Sequence, residues 1–431
     1  MLICLNSLRL ISGSKFMRAY LFFARTYNDW DHIAPIIWYL SHSVSGGPKK
    51  ISVIFYRDDL RKTESYEYLA KMLGDKFETF SDVPNQKLRS FLKRIVRKLG
   101  GLFGIVNIGA PVTYTSEKKL QYYLSSLGLA EYDKVVAVFD RTLNPVVGYV
   151  RKALQGLPAV FVSVPHGPMT NANRLCYVND FKQALPSDRF DEYFKNYDYV
   201  VFSDSIEKEI DDKCCRAINR ESASFSDFNE SGKRRVLGSL RYSDEWLRQM
   251  DVYAKPFLAK NSKRPMVSFF MKKFQHNVFV DEVFRTIQIF AAHSEIDFYI
   301  KPHTRGQTAR GIGLTKQYDN IYIAEDESST SLIHRSDLIL FYGGTSIILE
   351  ALARGKVVAC IDYLDCNRNI YEFYEACSIL KSRDDLYAVL ADFQADRLPN
   401  FSPERLIDDM VYVGDRSISV SKRYVEFLES L

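Results

Sequence analysis

Residues 301–362 read KPHTRGQTARGIGLTKQYDNIYIAEDESSTSLIHRSDLILFYGGTSIILEALARGKVVACID. In this stretch, short runs of β-branched and apolar residues alternate with segments of helical length. We predict strands at IYIAE, DLILFY and VVACID, and helices at SSTSLIHR and IILEALAR between them. Strands that are apolar throughout are typical of a parallel sheet that helices cover on both faces. The stretch therefore predicts a doubly wound α/β fold.

A turn of sequence GGTS, residues 343–346, ends one of these strands and begins a helix. The free N–H groups of a helix start, with hydroxyls beside them, can hold a phosphate. We therefore predict that Gly344, Thr345 and Ser346 bind a phosphate, and the double glycine favours close approach by a ligand. The alternative is that these residues only cap the helix.

Basic side chains follow the strand that ends at Lys301. In an open parallel sheet, the carboxyl ends of the strands form the ligand edge. Lys301, His303 and Arg305 on one short turn therefore predict an anion site, although His303 could instead bond a nearby carbonyl group. Together these cations could neutralise a leaving diphosphate without a metal ion.

The composition is that of a globular protein with more than one core. The chain has 431 residues, of which 46% are hydrophobic and 26% charged, and this length predicts two domains. The net charge of +5 is small and predicts no nucleic-acid partner. No apolar run is long enough for a transmembrane helix.

The spacing of cysteine and histidine favours neither a disulfide framework nor a metal site. The seven cysteines show no CxxC spacing, and the seven histidines show no HxxxH spacing. We therefore predict free thiols in a reducing cytoplasm, no metal and no cofactor. Residues 1–16 make a poor signal peptide, and we predict a disordered extension there.

Strand and helix also alternate through the first half of the chain, from AYLFFAR at residues 19–25 to YVVFS. A polar stretch at residues 219–233 interrupts the pattern, and the second half restarts with RRVLGS. We predict two Rossmann-like doubly wound domains, residues 17–218 and residues 234–410. A C-terminal helix in residues 411–431 could pack back on the first domain.

His166 is the leading catalytic candidate. It follows an apolar strand, and Pro165 and Gly167 flank it on a rigid turn. An imidazole there could take a proton from an acceptor hydroxyl, because its unperturbed pKa suits a general base. The alternative is a histidine that the backbone bonds at a domain interface.

Asp29 and Asp31 lie in the sequence TYNDWDH after the first strand and are competing bases. Asp31 is the main alternative to His166. The DWD triplet resembles a metal-binding DxD motif, but it begins a helix, so we interpret it as a cap and predict no metal there.

One segment carries a basic amphipathic pattern. Within residues 87–103, apolar residues occupy one helical face and six basic side chains the other. Such a helix can lie on an anionic membrane surface, and a helix packed on the protein core is the alternative. We predict a protein of the cytoplasm that contacts the inner face of the cell membrane.

The signature motifs of two common nucleotide-binding classes do not occur. GxGxxG and GxxxxGK[ST] are both absent from the sequence, which argues against dehydrogenases and P-loop kinases. Four other stretches resemble motifs of the GT-B glycosyltransferase superfamily, in the branch of CDP-glycerol glycerophosphotransferases, capsule-polysaccharide transferases and UDP-GlcNAc 2-epimerases. These stretches are Pro165-His166-Gly167 (HG), Gly238–Asp244 (GxPRxD, with Leu240 in place of proline), Lys301-Pro302-His303 (KxHP, with Thr304 in place of the second proline) and Ile347–Ala351 with Gly355-Lys356 (IxxEAxxxGK).

The resemblance covers roughly residues 160–365 and implies the GT-B fold, in which two Rossmann-like domains face a central cleft. It implies that the second domain binds the donor nucleotide and that the first presents the acceptor. Glu350 would accept hydrogen bonds from the ribose hydroxyls, and its alternative is an exposed helix glutamate. Arg241 would clamp the diphosphate or the sugar, or else pair with Asp244.

We therefore predict a glycosyltransferase that moves a sugar or sugar-like group from a CMP-, CDP- or UDP-linked donor to a cell-surface glycan. The acceptor would be a glycan or lipid-linked glycan of the capsule or lipopolysaccharide type. A nucleotide-sugar 2-epimerase of the same fold is one alternative, although it needs a set of carboxylates in the cleft. A non-catalytic nucleotide- or glycan-binding protein is another.

Overall fold

The computed structural model describes most of the chain. Predictions that fall on Arg305, on residues 1–15 or on the helix in residues 87–103 lie outside the described residues. The described residues are 16–44, 47, 49–55, 58–74, 77–81, 113–140, 146–168, 170, 196–218, 232–253, 263–274, 278–303 and 318–431.

Two parallel sheets organise the described residues. The first has seven strands in the order β3-β2-β1-β4-β5-β6-β7, and the second has six in the order β10-β9-β8-β11-β12-β13. The first sheet consists of β1 (Arg18–Ala24), β2 (Lys49–Phe55), β3 (Phe77–Ser81), β4 (Lys134–Asp140), β5 (Ala159–Val164), β6 (Tyr199–Phe202) and β7 (Arg234–Val236). The second consists of β8 (Met266–Phe270), β9 (Asp297–Lys301), β10 (Ile321–Ile323), β11 (Leu338–Phe341), β12 (Val358–Ile361) and β13 (Ser378–Leu380).

Helices connect the strands and cover the sheets. The described helices are α1 (Tyr27–His42), α2 (Glu64–Leu73), α3 (Thr113–Ser126), α4 (Val146–Ala153), α5 (Ser205–Ile218), α6 (Asp244–Tyr253), α7 (Val280–Ala292), α8 (Ser329–Arg335), α9 (Ile347–Ala353), α10 (Ile370–Phe373), α11 (Arg383–Gln394), α12 (Glu404–Val411) and α13 (Val420–Ser430). No helix among the described residues combines the length and the apolar character that a membrane crossing demands.

The strands are apolar throughout because both faces of each sheet are covered. In β1, Tyr20 and Phe22 enter one buried cluster, whereas Leu21 and Phe23 enter another on the opposite face. Phe23 stacks on Phe139 of β4 with 4.3 Å between ring centroids. Complete burial of such a side chain contributes about 1.5–3 kcal/mol to stability. The predicted parallel α/β architecture is therefore confirmed.

The short strand β7 corrects the sequence interpretation. RRVLGS was expected to begin the second half, but β7 pairs with β6 and extends the first sheet. Arg234 explains the placement, because its NH2 group lies 2.7 Å from Oδ2 of the buried Asp211 on α5. Its guanidinium also lies 4.7 Å from the ring centroid of Phe202 in β6.

The carboxyl ends of the two sheets face a cleft between the domains. One buried apolar cluster contains residues from both domains, including Trp30 and Ile348. The C-terminal helix α13 returns across the first domain, where Phe427 packs on Tyr199 at 5.5 Å between ring centroids. The two Rossmann-like domains are thus packed together with a cleft at the edge where ligands bind in this architecture.

Candidate active site

Three neighbouring strands of the first sheet end in charged residues. Arg25 follows β1, Asp140 ends β4 and His166 lies two residues after β5. Because β1, β4 and β5 are adjacent in the sheet, their carboxyl ends meet at one place. The guanidinium NH2 of Arg25 lies 2.9 Å from Oδ2 of Asp140. The strand order therefore assembles a charged cluster on the cleft side.

Asp29 joins this cluster from the first turn of α1. Its carboxylate caps the helix, accepting hydrogen bonds from the N–H groups of Arg25 and Thr26, both at 2.9 Å. The capping box with Thr26, whose hydroxyl donates to Asp29 at 2.7 Å, explains why the helix begins at this point. Burial alone would raise the pKa of Asp29, but the contacts with His166 and Thr26 outweigh it and lower the pKa.

His166 lies between two buried carboxylates. Its Nδ1 is 3.0 Å from Oδ1 of Asp29 and 3.4 Å from Oδ2 of Asp140. Burial alone would lower the pKa of His166, but Asp140 and Asp29 together raise it to about 9. The imidazole therefore carries a proton at neutral pH. This setting suits stabilisation of developing negative charge better than the general-base role predicted from the sequence.

His32 is a site residue that the sequence reasoning missed. Its side chain is buried, with 6% exposure, and it lies three residues after Asp29 on α1. Gly167 has φ of +139°, and a Cβ there would lie 3.2 Å from Nε2 of His32. The glycine after His166 is thus required by both backbone conformation and close approach. Burial, followed by the charge of Arg241, lowers the pKa of His32, so this histidine is neutral.

The cluster has the composition of a small cation site. Ligand atoms of Asp29, Asp140 and His166 lie within 4.8 Å of one another. However, the guanidinium of Arg25 already contacts Asp140. A positive side chain bound to one of these carboxylates opposes a metal ion there, so we interpret the cluster as an ion-pair network.

A cavity of about 510 Å³ lies in the cleft, and both domains line it. Four residues that the sequence predicted for the site are among its lining residues, namely Asp31, Arg241, Lys301 and Glu350. The remaining lining residues are Tyr27, Lys62, Thr63, Glu64, Ser65, Trp246, Leu247, Met250, Glu325, Asp326, Glu327, Ser328, Ser329, Thr330, Ser331 and Ile347.

Arg241 pairs with Asp31 across the cavity wall rather than with Asp244. Its NH1 lies 2.8 Å from Oδ2 of Asp31, whose side chain keeps 29% of its surface exposed. Burial raises the pKa of Asp31 more than Arg241 lowers it, and Glu350 and Asp29 raise it further. A carboxylate with a raised pKa beside a cavity fits a general base better than a protonated histidine does.

Lys301 was predicted to bind an anion, but its ammonium group binds backbone carbonyl groups of the protein. Its ammonium group donates hydrogen bonds to the carbonyl oxygens of Ala324 at 3.1 Å, Glu325 at 2.9 Å and Glu327. All three of its protons therefore hold the loop after β10, and none remains for a phosphate. Burial lowers the pKa of Lys301 to about 8. The lysine acts on the cavity through the loop that it supports.

Glu350 is buried, with 4% exposure, so the exposed-glutamate alternative is wrong. It lies on α9, where its Oε1 contacts Nε of Arg354 at 3.3 Å. Such a carboxylate keeps oxygen lone pairs available for the hydroxyls of a ligand. The signal for Arg354 in the sequence is its spacing of four residues from Glu350 on one helix.

Other side chains of the protein fill the space next to the first glycine of the GGTS turn. Gly343 has φ of +67°, and a Cβ there would lie 2.2 Å from Oδ2 of Asp365 and 2.7 Å from Cδ of Lys272. Asp365 and Lys272 form a buried ion pair at 2.6 Å. The close approach that the double glycine indicated is therefore made by this pair.

The other predicted phosphate ligands lie near the same edge of the second sheet. Thr345 accepts a hydrogen bond from the hydroxyl of Tyr371 at 2.7 Å through its carbonyl oxygen. Ser346 begins α9 without a side-chain capping bond, and Gly344 is half-buried beside it. His303 is half-buried two residues after the end of β9. The structure thus places these residues on the cleft side of β9 and β11.

Comparison with known proteins gives matches in structure. No protein-family model matches the sequence, and no curated protein matches it. A provisionally named UDP-N-acetylglucosamine 2-epimerase from Listeria monocytogenes is similar, with a TM-score of 0.52, 10% identity and coverage of 96% of this chain and 95% of that one. S. aureus MnaA in complex with UDP has a TM-score of 0.52 and 12% identity, over 89% of this chain and 92% of its own.

A third similar structure, trehalose-6-phosphate from E. coli bound with UDP-2-fluoro glucose, has a TM-score of 0.52 and 12% identity. The match covers 96% of this chain and 98% of the other. At these identities the likeness concerns the fold. The chain has the GT-B fold, with two Rossmann-like domains that face a central cleft.

Proposed function

We propose that this protein is a nucleotide-sugar enzyme, and specifically a glycosyltransferase that moves a sugar or sugar-like group to a glycan. The observation that carries the proposal is the cavity between the domains, which Arg241 lines together with its ion-pair partner Asp31 and with Glu350, whose charge also acts on Arg241. A guanidinium matches a diphosphate, and buried carboxylates match hydroxyl groups. The solved structures of similar fold include two bound to UDP or a UDP-sugar, which supports a nucleotide as the ligand.

The donor would lie against the second domain. Glu350 would accept hydrogen bonds from the ribose hydroxyls, and Arg241 would bind the diphosphate. His303, Thr345 and Ser346 would contact phosphate at the ends of β9 and β11. Lys301 would keep the loop after β10 in place through its three carbonyl contacts. The donor would be a CMP-, CDP- or UDP-linked sugar.

The transfer step follows from the charges around the cavity. An acceptor hydroxyl would lose its proton to Asp31 while its oxygen forms a bond to the anomeric carbon. The bond from that carbon to the nucleotide phosphate would break, and the phosphate oxygen would keep the electron pair. Arg241 and the protonated His166 would stabilise this oxygen. Diphosphate binding would draw Arg241 away from Asp31 and so free the base.

Thermal-shift screening against UDP, CDP, CMP, GDP and TDP tests the proposal. A ligand that binds the folded protein only raises its melting temperature, so at least one pyrimidine nucleotide should stabilise it. The stabilising nucleotide then identifies the donor for an assay of sugar transfer to glycan acceptors. Absence of any shift, with calorimetry in agreement, would contradict the proposal.

A membrane-linked acceptor is part of the proposal, and it depends on the basic segment in residues 87–103. Charge reversal at Lys93, Arg94, Arg97 and Lys98 should abolish co-sedimentation with anionic liposomes at low salt. If the parent protein does not co-sediment with these liposomes, the proposed membrane contact is wrong. The proposed nucleotide site does not depend on that result.

A 2-epimerase remains a second candidate because of one observation. That reaction needs a set of carboxylates in the cleft, and two fully buried ones lie beside His166, namely Asp140 at the end of β4 and Asp29 in the first turn of α1. Epimerisation at C2 requires removal and return of the C2 proton. Incubation of a UDP-sugar in D₂O distinguishes the two functions, because an epimerase introduces deuterium at C2 and a transferase does not.

A further inference from the structure

A chain of charged side chains holds Glu350 and leads away from the cavity. Oε1 of Glu350 lies 3.3 Å from Nε of Arg354, and the two side chains are 5% and 8% exposed. NH1 of Arg354 contacts Oδ1 of Asp251, and the same oxygen lies 2.9 Å from Nε2 of His334. One guanidinium thus binds two carboxylates that belong to different helices.

The helix that carries Asp251 is packed against the first domain. Tyr68 of α2 donates a hydrogen bond from its hydroxyl to Oε1 of Gln249 at 3.0 Å. The ring of Tyr68 also lies 6.3 Å from the ring of Trp246, both on the contact between α2 and α6. The position of Asp251 therefore depends on the first domain, whereas Glu350 and Arg354 belong to the second.

The burial of Glu350 makes its orientation depend on Arg354. A buried carboxylate needs a paired charge and hydrogen bonds to remain ionised. The planar guanidinium fixes the direction of its bonds, so a side chain held by Nε and NH1 at once has little freedom. A lysine at position 354 would offer a single point charge and could not reproduce this geometry.

We infer that Arg354 and Asp251 are positioning residues for the donor nucleotide. Arg354 directs the Glu350 carboxylate toward the ribose, and Asp251 fixes Arg354 from the side of the first domain. The inference rests on the proposed function, because it builds on the ribose contact proposed for Glu350. Neither residue is among the described residues that line the cavity, so both act through Glu350.

Calorimetric titration with UDP and CDP, and with their dideoxyribose counterparts, tests this inference. The parent should bind the ribonucleotide more tightly, and Glu350→Gln should lose that preference. Arg354→Gln and Asp251→Asn should each reduce the preference by roughly 2- to 30-fold, the range for residues that act on a ligand through another side chain. Adding Arg354→Gln to Glu350→Gln should change nothing further, because the two residues act as one unit.

Arg397 and Asp392 provide a matched control pair. Their side chains contact at 3.0 Å near the end of α11, with exposures of 67% and 42%. Arg397→Gln and Asp392→Asn should leave the ribose preference unchanged. If Arg354→Gln does not fold, Asp251→Asn alone serves as the test. The side chain of Asp251 is 36% exposed, so its substitution disturbs the protein core less than that of Arg354, which is 8% exposed.

The outcomes separate the inference from the proposed function. Retention of the full ribose preference in Arg354→Gln and Asp251→Asn would overturn the inference while nucleotide binding stands. Equal weakening of ribose and dideoxyribose ligands would also overturn it, because that result indicates a general structural role. A parent protein that binds none of these nucleotides would overturn the proposed function itself.

Discussion

Asp31 and His166 show how two residues of the first domain acquire different chemical roles from their surroundings. Burial and nearby carboxylates raise the pKa of Asp31, while Asp140 and Asp29 raise that of His166 to about 9. At neutral pH the carboxylate can accept a proton once Arg241 moves to the diphosphate, and the imidazole carries one. The pair thus has the arrangement of a base and an electrostatic partner.

Asp31→Asn should lower the rate of transfer by about 100- to 10,000-fold, because a general base contributes that much. Nucleotide affinity should not fall, because Asp31 then no longer competes with the diphosphate for Arg241. Steady-state kinetics and calorimetry on the same preparations measure both quantities, with Asp392→Asn as a surface control. Transfer that survives within a few-fold would show that Asp31 is not the base.

The pH dependence of kcat/KM provides a second test at the residue scale. Activity should rise as pH increases through the raised pKa of Asp31 and fall as pH passes about 9, where His166 loses its proton. In His166→Gln the fall near pH 9 should disappear. An unchanged alkaline limb in this variant would exclude His166 as its source.

The raised pKa of His166 should also make the free energy of unfolding depend on pH. Its folded pKa lies above its unfolded value near 6.5, so its contribution is complete below that pH and is lost as pH rises through about 9. The parent should therefore exceed His166→Gln in free energy of unfolding by up to about 3 kcal/mol at low pH. Urea denaturation at several pH values measures this difference. If the difference in free energy of unfolding between the parent and His166→Gln increased toward pH 9, this explanation would be wrong.

At the scale of elements, the turns at the ends of the strands determine the shape of the site. The turn after β11 bends around the ion pair of Lys272 and Asp365, and Lys301 holds the loop after β10. Both contacts join segments far apart in sequence. The sequence pattern correctly located β9, β10, β11 and the turns after them, but it could not indicate that protein groups fill the space next to Gly343.

Gly343→Ala and Gly355→Ala form a matched pair that tests this packing. The two glycines have φ of +67° and +66°, but a Cβ at Gly355 would meet nothing within 4 Å. Both variants share the cost of a left-handed alanine, about 1–2 kcal/mol. Gly343→Ala should lose a further ~1–3 kcal/mol because the ion pair must move. Equal free energies of unfolding for the two variants would contradict this explanation.

At the scale of the molecule, the cavity is formed by two domains that are also joined directly. Ser328 of the second domain donates a hydrogen bond to Oε2 of Glu64 in the first at 2.8 Å. The return of α13 onto Tyr199 adds a further link. A ligand in the cavity would therefore contact both domains at once, as a transferase needs when it brings donor and acceptor together.

The sequence predicts the fold better than the site for a physical reason. Apolar runs such as those of β1 and β4 indicate strands that are buried on both faces of a sheet, and such a run can be recognised within one short segment of the sequence. The pairing of Arg241 with Asp31, the carbonyl contacts of Lys301 and the placement of β7 depend on contacts between distant segments. β3 was missed because three of the five residues in FETFS are polar and do not alternate with apolar ones, and β13 was missed because SIL is very short.

The central claim is that a nucleotide occupies the cavity between Arg241 and Glu350. Calorimetric titration of the parent, Arg241→Gln and Glu350→Gln with the stabilising nucleotide tests it most directly. Loss of a hydrogen bond to a charged group should cost about 1.5–3 kcal/mol in each variant, while Arg397→Gln should bind as the parent does. Equal affinity in all four proteins would place the nucleotide elsewhere and contradict the account.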